Sequence, residues 1–286
     1  MFVIAGATGH VGGVAARELL ANKHKVKVIV RDAAKGRDWS TRGAELAAGK
    51  LDDPSFLAGA LKGASGLFTL LPADYAATDV FASQKRIADA IASGVKQSGV
   101  PLVVLLSSLG ADLASGTGPI KGLHYAENAL RATGTKLVSI RAAYFQENLA
   151  QAVAPAKQMG TFFNFMPSRD AAMPTIATKD IGALVARTLV SPPARSENVD
   201  LVGPTYTVGQ LVEKLGAAVG KPLQIVDIPP QGHVEALVQA GVPRPFAVEF
   251  AEMYAAFGTG KVTSKGDRVE HGATKVEDVI AELVKA

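Results

Sequence analysis

At 286 residues, 48% of them hydrophobic, the chain carries enough apolar material for one large folded unit or a large and a small one, which excludes intrinsic disorder. A net charge of +4, with 20% charged residues scattered along the chain, offers no concentrated basic face and excludes nucleic acid as an expected partner. The absence of cysteine excludes disulfides, thiolate metal sites and cysteine nucleophiles.

The opening MFVIAGATG has neither a basic leader nor a long apolar run, so it reads as a buried strand, FVIA at 2–5, in a cytoplasmic protein that makes no use of a membrane. VGGVAARELLAN follows as a helix, KVKVIV at 25–30 as a second strand, and AELAA at 44–48 as a short third. PSFLAGALKG predicts a helix opened by Pro54, SGLFTLL at 65–71 a fourth strand, and VFASQKRIADAIASGVKQSG a helix closed by Gly99. PLVVLLSS at 101–108 is a fifth strand, YAENALRATG at 125–134 a further helix, and KLVSIR at 136–141 a sixth strand. Short apolar runs alternating with helical periodicity give an α/β chain with a doubly wound parallel sheet.

Beyond about residue 150 the text changes. QMGTFFNFMPSRDAAM is rich in aromatics and turn formers and reads as too irregular for a sheet unit, whereas TKDIGALVARTLV restores a helix. From residue 199 onward the pattern is mostly helix with short strands. The expected division is a dinucleotide-binding domain over 1–150 plus about 175–202, and a smaller, mostly helical substrate-binding domain over about 151–174 and 203–286. Such a lid covers the carboxyl ends of the strands, where open sheets bind ligands.

After the first strand comes GATGHVG, with Gly6, Gly9 and Gly12 spaced G-x-x-G-x-x-G between a strand and a helix. Gly6 permits the tight turn, Gly9 lets the backbone approach a pyrophosphate, and Gly12 lets the helix pack on the sheet. The helix N-terminus adds free N–H groups and a positive dipole end. A structural turn alone would use the same glycines, but their place at the head of an alternating chain points to a dinucleotide. The second strand ends IVRD, which puts Arg31 where NAD-selecting proteins place a carboxylate. A guanidinium suits a 2′-phosphate, with Lys35 one turn on, so NADP(H) is the expected cofactor. The plainer alternative leaves Arg31 solvated and gives the ribose to Asp32. The five histidines, at 10, 24, 124, 233 and 271, show no ligand spacing, and no metal is expected.

Together GATGHVG, IVRD, the LLP at 70–72, the SS at 107–108, IRAAYFQENL and AGVPRPF at 240–246 resemble the NmrA-like branch of the atypical short-chain dehydrogenase/reductases over nearly the whole chain. The resemblance is greatest to members acting as NADPH-dependent quinone or triphenylmethane dye reductases. It implies that Gly6, Thr8, Gly9, His10, Val11 and Gly12 line the pyrophosphate, that Arg31 holds the 2′-phosphate, and that Leu71 and Pro72 pass beside the nicotinamide ribose. Ser107 takes the place of the catalytic serine of related dehydrogenases, and Tyr144 and Asn148 face the nicotinamide. One position departs from the family: Gly49-Lys50 stands where relatives often carry Gly-Asp, leaving Leu51 or Asp52 to meet the adenine.

The stretch LHYAENAL at 123–130 bears on catalysis. Relatives with a Tyr-x-x-x-Lys pair use the lysine to depress the tyrosine pKa, but four residues after Tyr125 stands Ala129. Alcohol oxidation is therefore disfavoured, while hydride donation to a delocalised acceptor needs no such pair. Tyr125, His124 and Tyr144 remain candidate donors, against a plainer reading of His124 and Tyr125 as helix-surface or packing residues. Lys121 reads as a solvated loop lysine, and Phe246, Phe250 and Tyr254 as packing. The FFNFM run at 162–166 and Met173 form either a wall for a flat aromatic acceptor or the core of the small domain. The expected function is an NADPH-dependent reductase of a small conjugated acceptor, quinone- or dye-like. The alternative is an NADP(H)-binding redox-sensing regulator with little or no catalysis. A small-molecule substrate and a pairing of two subunits through exposed helices complete the expectations.

Overall fold

A computed structural model describes residues 1–285. In chain order the first part runs β1 (Phe2–Ala5), α1 (His10–Ala21), β2 (Val26–Val30), α2 (Arg37–Thr41), β3 (Glu45–Ala48), α3 (Pro54–Leu61), β4 (Gly66–Thr69), α4 (Val80–Ser98), β5 (Leu102–Ser108), α5 (Ile120–Arg131) and β6 (Lys136–Ala142). The second part adds β7 (Tyr144–Phe145), α6 (Ala150–Met159), β8 (Thr161–Asn164), β9 (Met173–Ile176), α7 (Thr178–Val190), β10 (Glu197–Val202), β11 (Thr205–Tyr206), α8 (Val208–Val219), β12 (Gln224–Asp227), α9 (His233–Gln239), α10 (Arg244–Phe257), β13 (Arg268–His271) and α11 (Val276–Lys285).

Eight strands form one parallel sheet in the order β13-β10-β6-β5-β4-β1-β2-β3. Both faces are covered, which is why its strands read as continuous apolar runs. On one face Val11, Ala15 and Leu19 of α1 join Ile181, Leu184 and Val185 of α7. The opposite face buries Leu57 and Leu61 of α3, Ile87 and Ile91 of α4 and Leu130 of α5. Strand order reverses at β1, flanked by β2 and β4, so a crevice opens at the carboxyl ends there. The chain is thus a doubly wound α/β protein, as its apolar periodicity predicts.

A separate core, with Leu149, Val153, Leu211, Leu215, Val276 and Ile280, binds α6, α8 and α11 into a cap. Three details depart from the sequence reading. First, α5 begins at Ile120, because Gly118 at φ +56° turns the chain tightly against α10 and Pro119 caps the helix start. Second, the FFNF segment is a regular strand, β8, paired in parallel with the distant β12; the pairing is invisible locally because its partner lies some 60 residues on. Third, residues 268–271, read with the smaller unit, return as β13 to the edge of the main sheet.

Candidate functional site

The glycine loop leaves β1 with Gly6 at φ +67°, and a Cβ there would stand 2.6 Å from Leu70 Cδ2. At Gly12 a Cβ would stand 2.5 Å from the Gly6 carbonyl and 2.8 Å from that of Ala5, so only glycine lets α1 lie this close to the strand end. Gly9 differs. Its φ of −97° suits any residue, and a Cβ would meet nothing closer than 3.4 Å. Nothing inside the protein requires glycine there, which leaves room beside the backbone for a ligand. Gly9 caps α1 without a side-chain hydrogen bond, so the first-turn N–H groups face outward with the helix dipole behind them. Thr8, Gly9 and His10 are exposed, while the Val11 side chain is in the core and has only its backbone to offer. This cradle, one Cβ short of filled, fits a dinucleotide pyrophosphate.

At the end of β2, Arg31 is exposed and enters no ion pair among the described residues. Asp32 is committed locally: its Oδ1 accepts from the Ala34 N–H at 2.9 Å, capping the 3-10 turn that carries the exposed Lys35. That cap favours Arg31 over Asp32 as the ribose-end contact. At the neighbouring strand end, Asp52 is ion-paired to Arg86.

The carboxyl ends of β4, β5 and β6 open into a cleft of about 500 Å³. Leu70, packed on Gly6, lines it with Leu71, Pro72, Ser107, Tyr144 and Asn148, so loop and cleft are neighbours. From the cap, Phe246, Phe250, Met253 and Phe257 of α10 close the opposite side. The assignment of Phe246 and Phe250 to packing alone is therefore corrected: α10 folds back over the strand ends and gives them a wall to form. Lys121 of α5 holds α10 in place through Glu249 at 2.8 Å and Glu252 at 3.6 Å. It is a half-buried helical bolt and not a solvated loop lysine.

Two catalytic candidates lie elsewhere. Tyr125 is on the outer side of α5, where its hydroxyl donates to Asp89 at 2.8 Å; that hydrogen bond raises the phenol pKa, the reverse of what a neighbouring lysine would do. His124 has Nδ1 against the Ala111 carbonyl at 2.9 Å and Nε2 against the Asn128 amide at 3.0 Å, so both ring nitrogens are occupied. Neither residue lines either cavity: α5 turns Ile120 and Leu123 to the cleft, and His124 and Tyr125, the next two positions round the helix, are directed to Ala111 and Asp89 instead. Ser107 does line the cleft, and behind it stands a buried group the sequence reading missed. Its Oγ donates to Glu127 Oε1 at 2.6 Å, and Arg141 grips Glu127 through Nε at 3.0 Å and Nη2 at 2.6 Å. The available signal was an arginine ending the otherwise apolar strand KLVSIR.

Adjoining the cleft is a second cavity of about 890 Å³ within the cap. Tyr144, Asn148 and Met173 line both spaces. The cap cavity is walled by Tyr75, Phe162, Phe163, Phe165 and Tyr254, with Phe165 stacked on Tyr254 at 5.5 Å between centroids. Tyr254 is thus a wall residue as well as a packing one. No charged side chain is in the lining; its polar groups are the two phenols Tyr144 and Tyr254, Tyr75, and the amides of Asn148, Gln151, Asn164 and Gln239. Burial, with the Tyr254 phenol beside it, pushes the Tyr144 phenol well above its ordinary range; the Asn148 side chain opposes this in part. Burial raises the Tyr254 phenol as well. Both are standing hydrogen-bond donors, not bases. No cluster of three or more metal-ligating side chains occurs among the described residues, and no helix among them is long and apolar enough to cross a membrane.

The fold is shared with known proteins. An NAD(P)H azoreductase from Xenophilus azovorans is 26% identical over 287 residues, covering 100% of this chain and 97% of that protein. The triphenylmethane reductase of Citrobacter sp. complexed with NADP(H) superposes with a TM-score of 0.80 at 21% identity, over 100% of this chain and 99% of that one. The NADPH-dependent quinone oxidoreductase of Escherichia coli complexed with NADPH gives 0.84 at 21% identity, over 99% of both chains. The NmrA-like family model matches residues 1–283, and the chain belongs to the NmrA-like family.

Proposed function

We propose that the protein is an NADPH-dependent reductase that delivers hydride to a small, conjugated acceptor of quinone or dye type. The observation that carries this reading is the junction of two spaces at Tyr144, Asn148 and Met173: a cleft continuous with the glycine loop on one side, and an uncharged aromatic cavity on the other. A pure cofactor sensor has no use for the second space. The activities of the azo, triphenylmethane and quinone reductases similar to this chain support the same class.

NADPH held here would supply two electrons as a hydride. The protein's share is position and electrostatics. Backbone N–H groups of His10, Val11 and Gly12 would hold the pyrophosphate, with Gly9 leaving room for it, Gly6 shaping the turn and Thr8 at its rim. Arg31, joined by Lys35, selects the 2′-phosphate. Leu71 and Pro72 flank the ribose, and Asn148 faces the nicotinamide. Residues 151–174 and most of 203–286 supply the acceptor wall, where Phe162 and the stacked pair Phe165–Tyr254 offer aromatic surface to a flat π-system. Tyr144 donates a hydrogen bond to an acceptor oxygen or nitrogen as negative charge develops there, and the proton that completes a hydroquinone or hydrazo product comes from solvent. A triphenylmethane cation needs no proton, since hydride alone neutralises it.

Titration with NADPH and NADH, followed by the loss of reduced-nicotinamide absorbance when quinones and dyes are added, tests this. Tight NADPH binding with turnover is expected. Tight binding with no turnover across the panel would overturn the reductase and leave the redox-sensing regulator.

A further inference from the structure

Ser107, Arg141 and Asp200 stand side by side at the carboxyl ends of β5, β6 and β10. All are buried, and so is Glu127, which α5 brings over the row. Arg141 donates to both oxygens of Glu127, so both stand as acceptors in the row. The 2.6 Å bond to Ser107 therefore uses the serine proton. Asp200, whose Oδ2 accepts from the Gly266 N–H at 2.7 Å, and Asp112 supply the further negative charge near Arg141, which keeps the guanidinium anchored in the row. Turning the Ser107 hydroxyl towards the cleft would forfeit a buried charge-assisted hydrogen bond.

We infer that Glu127 and Arg141 are positioning residues that make Ser107 an obligate hydrogen-bond acceptor, one that receives the carboxamide N–H of the nicotinamide and gives no proton to the substrate. Ser107 lines the cleft that adjoins the glycine loop but not the cap cavity. What faces it therefore belongs to the cofactor, and the N–H donor at that end of a nicotinamide dinucleotide is the carboxamide. The inference rests on the cofactor reading above. The hydrogen bond to the substrate oxygen then falls to Tyr144, which lines both spaces.

The test compares binding of NADPH with its 3-acetylpyridine analogue, which keeps the carbonyl and replaces the amide NH₂ by a methyl group. Calorimetry on the unmodified protein should favour NADPH by about 10-fold, the worth of one hydrogen bond. In Ser107→Ala the two should bind alike. Removing the ion pair as a unit, Glu127→Met with Arg141→Met, together with Asp200→Asn so that no buried carboxylate is left facing the lost guanidinium, frees the hydroxyl to donate to the acetyl carbonyl. The analogue should then bind nearly as well as NADPH, a shift in ratio that a purely structural pair would not produce. Equal binding of the two cofactors by the unmodified protein would overturn the inference while leaving the reductase standing, as would full discrimination in Ser107→Ala. Failure of NADPH itself to bind would remove both.

Discussion

The carboxyl edge of the main sheet and the cap cavity do complementary work by opposite means. At the sheet edge the features are backbone and fixed charge: Gly6 and Gly12 set the loop, Gly9 leaves it open, and a buried Ser107–Glu127–Arg141 network lies at the far end. In the cap, the lining is aromatic side chains and amides with no charge, drawn from segments between Tyr75 and Tyr254. The difference teaches how one chain divides specificity. On the proposed function, the edge would hold one ligand in one pose, and the cap would select a class of acceptor by shape and charge.

Breaking the edge should have the largest effect. Gly12→Ala drives a Cβ to 2.5 Å from the Gly6 carbonyl and should cost about 3 kcal/mol of stability, together with NADPH binding. Gly9→Ala sharpens the point: its Cβ meets nothing inside 3.4 Å, so thermal unfolding should move by no more than about 0.5 kcal/mol while NADPH affinity still falls. If Gly9→Ala binds NADPH normally, the cradle has been misplaced. Next, Arg31→Asp should weaken NADPH by about 100-fold and NADH far less, since only the 2′-phosphate loses a partner and gains a repulsion. An equal loss of both would put the phosphate contact elsewhere.

The cap is probed by charge. Adding a sulfonate to a quinone that is otherwise a good acceptor should reduce kcat/KM by roughly 30-fold or more, because the lining offers no cation to offset burial of the anion. Undiminished turnover would mean the acceptor does not enter this cavity. The smallest change is Tyr144→Phe, expected to slow quinone reduction about 10-fold and to leave reduction of a triphenylmethane cation nearly untouched. Because burial raises the Tyr144 phenol, quinone reduction should show no alkaline limb from this residue up to about pH 10. The sign for stability follows from proton counts. As pH rises past the ordinary phenol range the unfolded chain loses this proton and the folded one keeps it, so stability falls. Tyr144→Phe should soften that alkaline loss in a pH series of unfolding curves.

The same division explains what the sequence made legible. Gly6, Gly9 and Gly12 lie within seven residues, Arg31 ends the next strand, and their roles are local consequences of strand, turn and helix. Apolar runs gave six strands of the main sheet for the same reason. The cap is different: β8 pairs with β12, and Tyr254 meets Phe165, only after long-range packing that no local period encodes. Tyr125 and His124 drew attention because relatives place a catalytic pair in that region, yet the phase of α5 gives the cleft Ile120 and Leu123 and turns both away. The same helix buries Glu127, two positions on, against Ser107 and Arg141, where spacing alone gave no reason to look.

The central claim is direct transfer of hydride from the cleft to an acceptor in the adjoining cap cavity. The most direct measurement is a single turnover of protein loaded with NADPH deuterated at the transferable position of C4, mixed with a triphenylmethane cation and analysed by mass spectrometry. One deuterium on the central carbon of the reduced dye is expected. A reduced dye carrying only solvent hydrogen, or no reduction at all, would contradict the claim.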